Sequence, residues 1–422
     1  PHVAEDLFRA MLRESGVEMR FGSPLETVEK DGTRLRMLRT TDGDRFGAKV
    51  FIDASYEGDL MKAAGVSYVV GREGRDRYGE SLAGRRELLP GNHQFKTAVS
   101  PLHDGKLLPY VNPENTLVPV GAGDDKIQAY CFRLCLTDRP ENRIPITRPD
   151  GYDPVRYELL RRHLAAMSQQ KCERLRGVLG KARLPNGKCD ANSSGPVSSN
   201  LLGANTEYPE ATPKRRAEIW EEHRSWVHGL LYFMQNDPGV SEEMRADWLR
   251  WGLCADEFQD TGGWPHQLYI REARRMLGEI VLTQHDLQNR RRKYDVIGMG
   301  GYNIDIREVQ WVSVRNFRFP KADDEVFVEG YVSQPVEPWD IPYRAMLPRS
   351  AECTNLLVPV CISASTVAYA SFRMEPNYMI AGHSAGVAAA MAAKGNGAVH
   401  RVNLEDLQQR LRADGQILQA GQ

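Results

Sequence analysis

Four stretches of the chain carry residues whose types and spacing could do chemistry. In Trp264–Glu279, WPHQLYIREARRMLGE, a helix after Pro265 would set Arg271 and Arg275 on one side, with Glu272 placed to pair with Arg275. A guanidinium there suits an anion, although the same residues equally make a structural ion-pair network. His266, just ahead of that helix, could take a proton from a hydroxyl or amine, or simply pack. In Gly298–Asp305, GMGGYNID, the glycines mark a tight backbone passage. Asn303 and Asp305 then either line a cavity or sit in a solvated turn. A third stretch is the helix read from Pro376 onward, where Gly382, Ala385, Gly386, Ala389 and Ala390 remove bulk along one side. Backbone or a flat ligand can come close there, and the helix start offers unpaired N–H groups. The fourth is Phe51–Asp59, an apolar strand ending in a short acidic turn with a glycine.

Other chemistries find less support. No H-E-x-x-H occurs, and His223 and His228 are five apart, which does not suit one helical face for a metal. Neither a G-x-S-x-G nucleophile elbow nor a Walker A loop is read in the chain. The seven cysteines are scattered without a C-x-x-C, so they read mostly as small buried residues in a reducing, cytoplasmic compartment. With 55 basic and 56 acidic side chains the net charge is -1, which gives no electrostatic footprint for nucleic acid or an anionic membrane. The most apolar run, Tyr378–Ala393, is too short to span a bilayer and contains His383. The expected partner is a small molecule; the oligomeric state is not readable.

The elements that must position these residues follow from periodicity. Val3, Leu7, Phe8, Met11 and Leu12 share a helical face that Gly16 ends. Short strands are expected at Glu18–Phe21 and Leu25–Glu29, then in RLRMLRT, and finally at Val50-Phe51-Ile52, which reads as covered on both faces. A helix with Leu60, Met61 and Ala64 inward comes next. Residues 71–123 read as loops and short strands, 127–136 as a strand, and 152–177 as helical. The polar stretch 184–211 is a long loop with a leaning toward disorder, and 212–289 is read as broken helix. Asn355–Ser363 is an apolar strand followed by a loop to Pro376. Asn403 caps a last helix with Leu404, Leu407 and Leu411 on one face.

The stretches Phe51–Leu60, Tyr269–Glu279, Gly300–Gln310, Trp339–Pro348 and above all Asn355–Ala393 resemble the FAD-dependent oxidoreductase family of the glutathione-reductase structural group. Within it the likeness is to a group often found near carbohydrate-degrading enzymes. The resemblance implies an α/β fold: a Rossmann-like FAD/NAD(P)-binding domain from residues 1–66 and 340–422, with an inserted α+β substrate domain at 67–339. It implies FAD as cofactor, and hydride transfer from a small, carbohydrate-related substrate to flavin N5. Leu25, Ala54 and Gly58 would lie on the adenosine side. Ser363, Arg373, Met374 and Glu375 would flank the isoalloxazine, with Gly382 and Gly386 allowing its approach. His266, Arg271, Asn303 and Asp305 are the candidate catalytic residues.

The chain departs from the family's pattern in two places. The first βαβ unit with G-x-G-x-x-G does not occur, so the fold is expected to be N-terminally incomplete, a fragment that holds FAD poorly. Relatives tend to read D-x-H where this chain reads Asp305-Ile306-Arg307, and glutamine where it has His383. These departures keep a second reading open, a catalytically degenerate flavoprotein fold that only binds. A glycan hydrolase would need a facing carboxylate pair, which spacing alone does not give.

Overall fold

The structure is a computed structural model that describes residues 1–89, 91, 93–169, 178–288, 292–315 and 324–420. The chain opens with the helix His2–Ser15, ended by Gly16 in the left-handed conformation at φ 68°. Its apolar stripe forms as the spacing predicts, yet faces outward: Val3, Leu7, Phe8 and Met11 are all exposed. Glu18–Phe21 is not a strand. Its side chains find no core to cover, and Phe21 lies under the Arg9 guanidinium instead.

An antiparallel meander follows, Leu25–Asp31, Arg34–Thr40 and Arg45–Gly47. Phe51–Ile52 then pairs in parallel with Leu356–Leu357, joining segments about 300 residues apart. Asn355 ties this pair to the meander. Its buried amide accepts from Leu35 N–H at 2.9 Å and donates to Leu35 O at 2.9 Å and Lys49 O at 3.1 Å. The Phe51–Ile52 strand is covered on one face only, for Phe51 is buried whereas Ile52 is exposed, contrary to the expectation of two covered faces. The apolar stretch Asn355–Ser363 contributes only these two strand residues, because the rest bends to hydrogen-bond with Met346, Ala345 and Leu282.

The middle of the chain folds around its own core. A five-stranded antiparallel sheet runs in the order Arg143–Ile144, Gly252–Cys254, Leu134–Thr137, Lys188–Ser193, Leu179–Leu184. Helices Glu158–Gln169 and Pro213–Asn236 share its core through Leu160, Leu164, Trp226 and Leu230. The end of the expected helix at 152–177 lies outside the described residues, as does Cys172. Stretch 184–211 is ordered. It completes a hairpin and then runs buried, its backbone carbonyls at Pro196 and Ser198 accepting from the indole N–H groups of Trp311 and Trp226, each at 2.8 Å. The polarity that suggested a loose loop is spent on internal hydrogen bonds. The six described cysteines are buried thiols. Cys135 and Cys254 sit on neighbouring strands with Sγ atoms 3.6 Å apart, well beyond a bonded pair.

Two further expectations fail. Past the helix Glu242–Leu249 the chain runs through short strands and turns until the helix Gln284–Gln288, and Trp264–Glu279 is no helix: Tyr269 bridges to Cys131, and Arg275–Met276 pairs with Tyr68–Val69. Ile270 to Met276 are buried on every side, so their ionic partners and not helix propensity set the conformation. Conversely, the presumed loop before Pro376 contains the helix Thr366–Phe372, entirely buried and therefore without an amphipathic period. The final helix Leu404–Ala413 is capped by Asn403, which accepts from Glu405 and Asp406 N–H, with Leu407 and Leu411 inward. Among the described residues no helix is long and apolar enough to cross a membrane.

Candidate functional site

The most organised polar region surrounds the corner between helices Thr366–Phe372 and Glu375–Lys394. Three buried carboxylates gather at the start of the first helix. Ser365, its cap, accepts from Ala368 N–H and donates to Glu80 at 2.6 Å. Thr366 N–H donates to Glu73 at 3.0 Å, and its hydroxyl to Glu272 at 2.9 Å. Negative charge is favourable at a helix start, and the single cation Arg275, fully buried, pairs with both Glu73 and Glu272. The Glu272–Arg275 pair is thus as the sequence suggested. Burial pushes the Glu80 carboxyl up, whereas in Glu73 the Arg275 charge and the Thr366 N–H outweigh burial and hold it down.

The other end of that helix points to the middle of the chain. Arg373 is buried, and its Nη2 donates to Asp305 O at 2.9 Å and Asp305 Oδ2 at 3.1 Å. Tyr302 reaches the same carboxylate at 3.4 Å, and Ser371 donates to Tyr302 O. Asn377 turns back to donate to the carbonyls of Ser371 and Phe372, closing the corner. Asn303, half-buried, sits in the turn between strands Val296–Gly300 and Ile304–Ile306. The glycine passage before it is tight: a Cβ on Gly298 would lie 2.3 Å from Ile380 Cγ2, and one on Gly300 2.5 Å from the Trp339 ring.

Beyond Asp305 the arginines converge. Arg307 Nη2 and Arg271 Nη2 both donate to Ser193 Oγ, at 3.1 and 3.4 Å. Arg271 is enclosed, its other contacts being Ala129 O, Cys131 Sγ and the Tyr269 ring. His266 lies apart, in a surface cleft with His2, Arg9 and Phe21, its Nε2 2.8 Å from Asp260. The structure therefore gathers Arg271, Asn303, Asp305 and Arg373 in one region and leaves His266 outside it. Sequence reasoning missed Ser193, Tyr302 and the carboxylates Glu73 and Glu80. Only Arg307 carried a signal, as a departure from D-x-H.

The expected cofactor residues divide in two. Met374 and Glu375 begin the second helix, whose start has no side-chain cap. Gly382 and Gly386 lie along a side of that helix where an added Cβ would meet nothing within 4 Å. Ala54 is exposed at the end of the Phe51–Ile52 strand, and Leu25 is half-buried against the cluster that contains Phe51 and Leu60. Gly58 and Ser363 have internal duties. Gly58 adopts φ 69° with a Cβ position 3.1 Å from Cys361 Sγ, and Ser363 Oγ accepts from Gly278 N–H at 3.0 Å. The string Gly382-His383-Ser384-Ala385-Gly386 does spell G-x-S-x-G, correcting the reading that no such pattern occurs. It lies inside a helix, with Ser384 buried against Ile380 O and Gln416, so it makes no strained strand-to-helix elbow. His383 faces Gln416 and Asp414 and holds the C-terminal segment.

Glu308 gives a pH prediction. Burial raises its carboxyl, but Arg307 and His93 reverse this and bring it down to about 2. A lowered folded value stabilises the protein above the unfolded carboxylate range and ceases to do so as pH falls through the folded value. Stability measured by urea unfolding is expected to drop between about pH 5 and pH 2. Glu308→Gln should flatten that part of the profile; an equally steep profile would show the pair to be inert.

The structure, mixed helix and sheet, leaves open space along a small-residue helix beside a buried, polar corner. The chain belongs to the FAD dependent oxidoreductase family, whose sequence pattern matches residues 1–411. It is a flavoprotein oxidoreductase with an FAD-binding, Rossmann-like fold, and FAD is its cofactor. No curated protein and no solved structure matches it. The residues present fit the ring end of FAD. The helix from Glu375 has an open side and an uncapped start, and Arg373 Nε is buried without a hydrogen-bond partner among the described residues.

Proposed function

We propose that the protein oxidises a small hydroxylated molecule, carbohydrate-related compounds being the first candidates, by hydride transfer to N5 of bound FAD. The observation that carries this reading is the Arg373–Asp305 tie, which fixes a strand of the middle segment against the helix corner suited to the flavin ring. In this reading residues 1–66 and 340–422 form the cofactor domain, of the glutathione-reductase type, and 67–339 form the substrate domain. The parallel pairing of Phe51–Ile52 with Leu356–Leu357 supports that division. Substrate lies over Tyr302 and Asn303. Tyr302, itself partly exposed, passes the hydroxyl proton to Asp305 while the adjacent C–H bond gives up hydride. Arg373 holds that carboxylate in place. Met374, Glu375, Gly382 and Gly386 hold the cofactor. His266, exposed and paired with Asp260, is not needed for this route.

The test is the absorption spectrum of the purified protein with and without added FAD. Flavin bands that persist through gel filtration are expected; none under either condition overturns the reading. Gly386 sharpens the test. Gly386→Phe is expected to leave the apo fold unchanged, since its Cβ enters open space on an exposed side of the helix, and to lower FAD affinity at least tenfold. Gly386→Ala should instead stabilise the apo helix by about 0.5–1 kcal/mol.

A further inference from the structure

We propose that Arg307 binds a carboxylate on the substrate, so that this oxidoreductase acts on acids in preference to neutral molecules. The proposal rests on the substrate position argued above and names the substrate's class. Arg133, Arg271, Arg307 and Arg373 stand in one region with three carboxylates around them. Asp190 is taken by Arg133, and Asp305 by Arg373. Glu308 is 3.4 Å from Arg307 but is held more closely by His93 at 2.7 Å and by Asn200, which donates at 2.6 Å. Among the described residues Arg271 has only neutral partners: a carbonyl, a thiol, a hydroxyl and a ring.

An enclosed guanidinium without a counter-ion is costly. Burial lowers the pKa of Arg271, and repulsion from Arg307 and Arg373 adds to the effect, whereas a nearby anion would relieve both. The side chain able to meet that anion is Arg307. Its side chain keeps 11% of its surface exposed where Arg271 is sealed, and its Nε is buried without a hydrogen-bond partner among the described residues. The guanidinium lies over the half-buried Tyr331 ring, 5.6 Å from its centre, which fixes its plane and leaves an edge to accept a two-oxygen ligand. Ser193 Oγ, shared by Arg271 and Arg307, links the sealed charge to the accessible one. Arg271 in this scheme is a positioning residue, while Arg307 touches the ligand.

The experiment measures dissociation constants of acid and amide pairs of one shape: glycolate and glycolamide, benzoate and benzamide, glucuronate and glucuronamide. Calorimetry at constant ionic strength on the FAD-loaded protein is the readout, with thermal shift of the apo protein alongside. At least one acid is expected to bind tenfold or more tightly than its amide. Arg307→Met should abolish that preference and Arg307→Lys should keep part of it, each read as the acid-to-amide ratio within one protein, so that the stability lost by taking a cation from Glu308 does not enter the comparison. Equal binding of acid and amide, no binding of any acid, or a preference that survives Arg307→Met overturns the proposal. Flavin binding is read separately from the spectrum. A flavin-loaded protein indifferent to the acid therefore rejects this inference alone, while an apo protein that binds the acid but never FAD rejects the functional reading alone.

Discussion

Arg275→Met is expected to destabilise the protein by about 3–5 kcal/mol, the cost of removing one partner from a buried ionic group. Arg275 is fully buried and is the cation shared by Glu73 and Glu272 at the start of the Thr366–Phe372 helix. It also donates to Gly71 O at 2.7 Å and Ala364 O at 3.1 Å, so four groups lose their donor together. A loss of that size is a large share of the stability of an ordinary domain, and much of the variant should be recovered insoluble. Urea unfolding of the soluble fraction is the measurement. Glu73→Gln added to Arg275→Met should return part of the loss, because it removes a carboxylate left without a cation. Glu73→Gln alone should destabilise. A single Met variant as stable as the parent would show that the network is not closed as described. The pH response has a definite sign. Glu73 has a lowered folded value, so its contribution is present above the ordinary carboxylate range and fades as the solution is acidified.

That network also marks the boundary of what the residues alone convey. The Glu272–Arg275 pair was readable because the two lie three apart, yet the geometry behind the reading was wrong: the segment is extended, and the pair forms because both side chains are buried at the start of the Thr366–Phe372 helix. Glu73 and Glu80 reach the same helix start across about 290 residues, and no local pattern announces such a meeting. The first helix, the meander, the turn at Asp53–Asp59 and the Asn403 cap were legible, because each is set by spacing or by a cap within a few residues. The helix Thr366–Phe372 was not. With every side chain buried it has no polar face, and a short apolar run reads equally as strand, loop or helix. In the candidate site, Asp305 and Arg373 were each named without any sign that they touch. Arg307 stood out only as a residue out of pattern, and the structure gives it a neighbourhood of arginines with too few carboxylates.

The contact between Asp305 and Arg373 sets the second large effect. Arg373→Met is expected to slow flavin reduction about 100-fold, the scale of a misplacement of about 1 Å at a reacting centre. The variant should still fold, because the strand Ile304–Ile306 keeps its pairing with Val332–Gln334 and Ser371 keeps its bond to Tyr302 O. It loses the donor that holds both the backbone and the carboxylate of Asp305. The carboxylate, mostly buried, is then left with the Tyr302 hydroxyl at 3.4 Å. Breaking a buried pair costs about 3 kcal/mol or more, and Asp305 can lower that cost only by protonating or turning outward. Either response disables a proton acceptor, so the chemical step suffers beyond any loss of stability. Rapid-mixing measurement of flavin reduction separates the two. In Arg373→Met the rate should fall while FAD content changes little, and Arg373→Lys should recover part of the rate through its charge alone. Asp305→Asn added to Arg373→Met should restore stability without restoring the rate. A double variant that regains both would make the pair a structural tie only, and would move the proton acceptor elsewhere in the site.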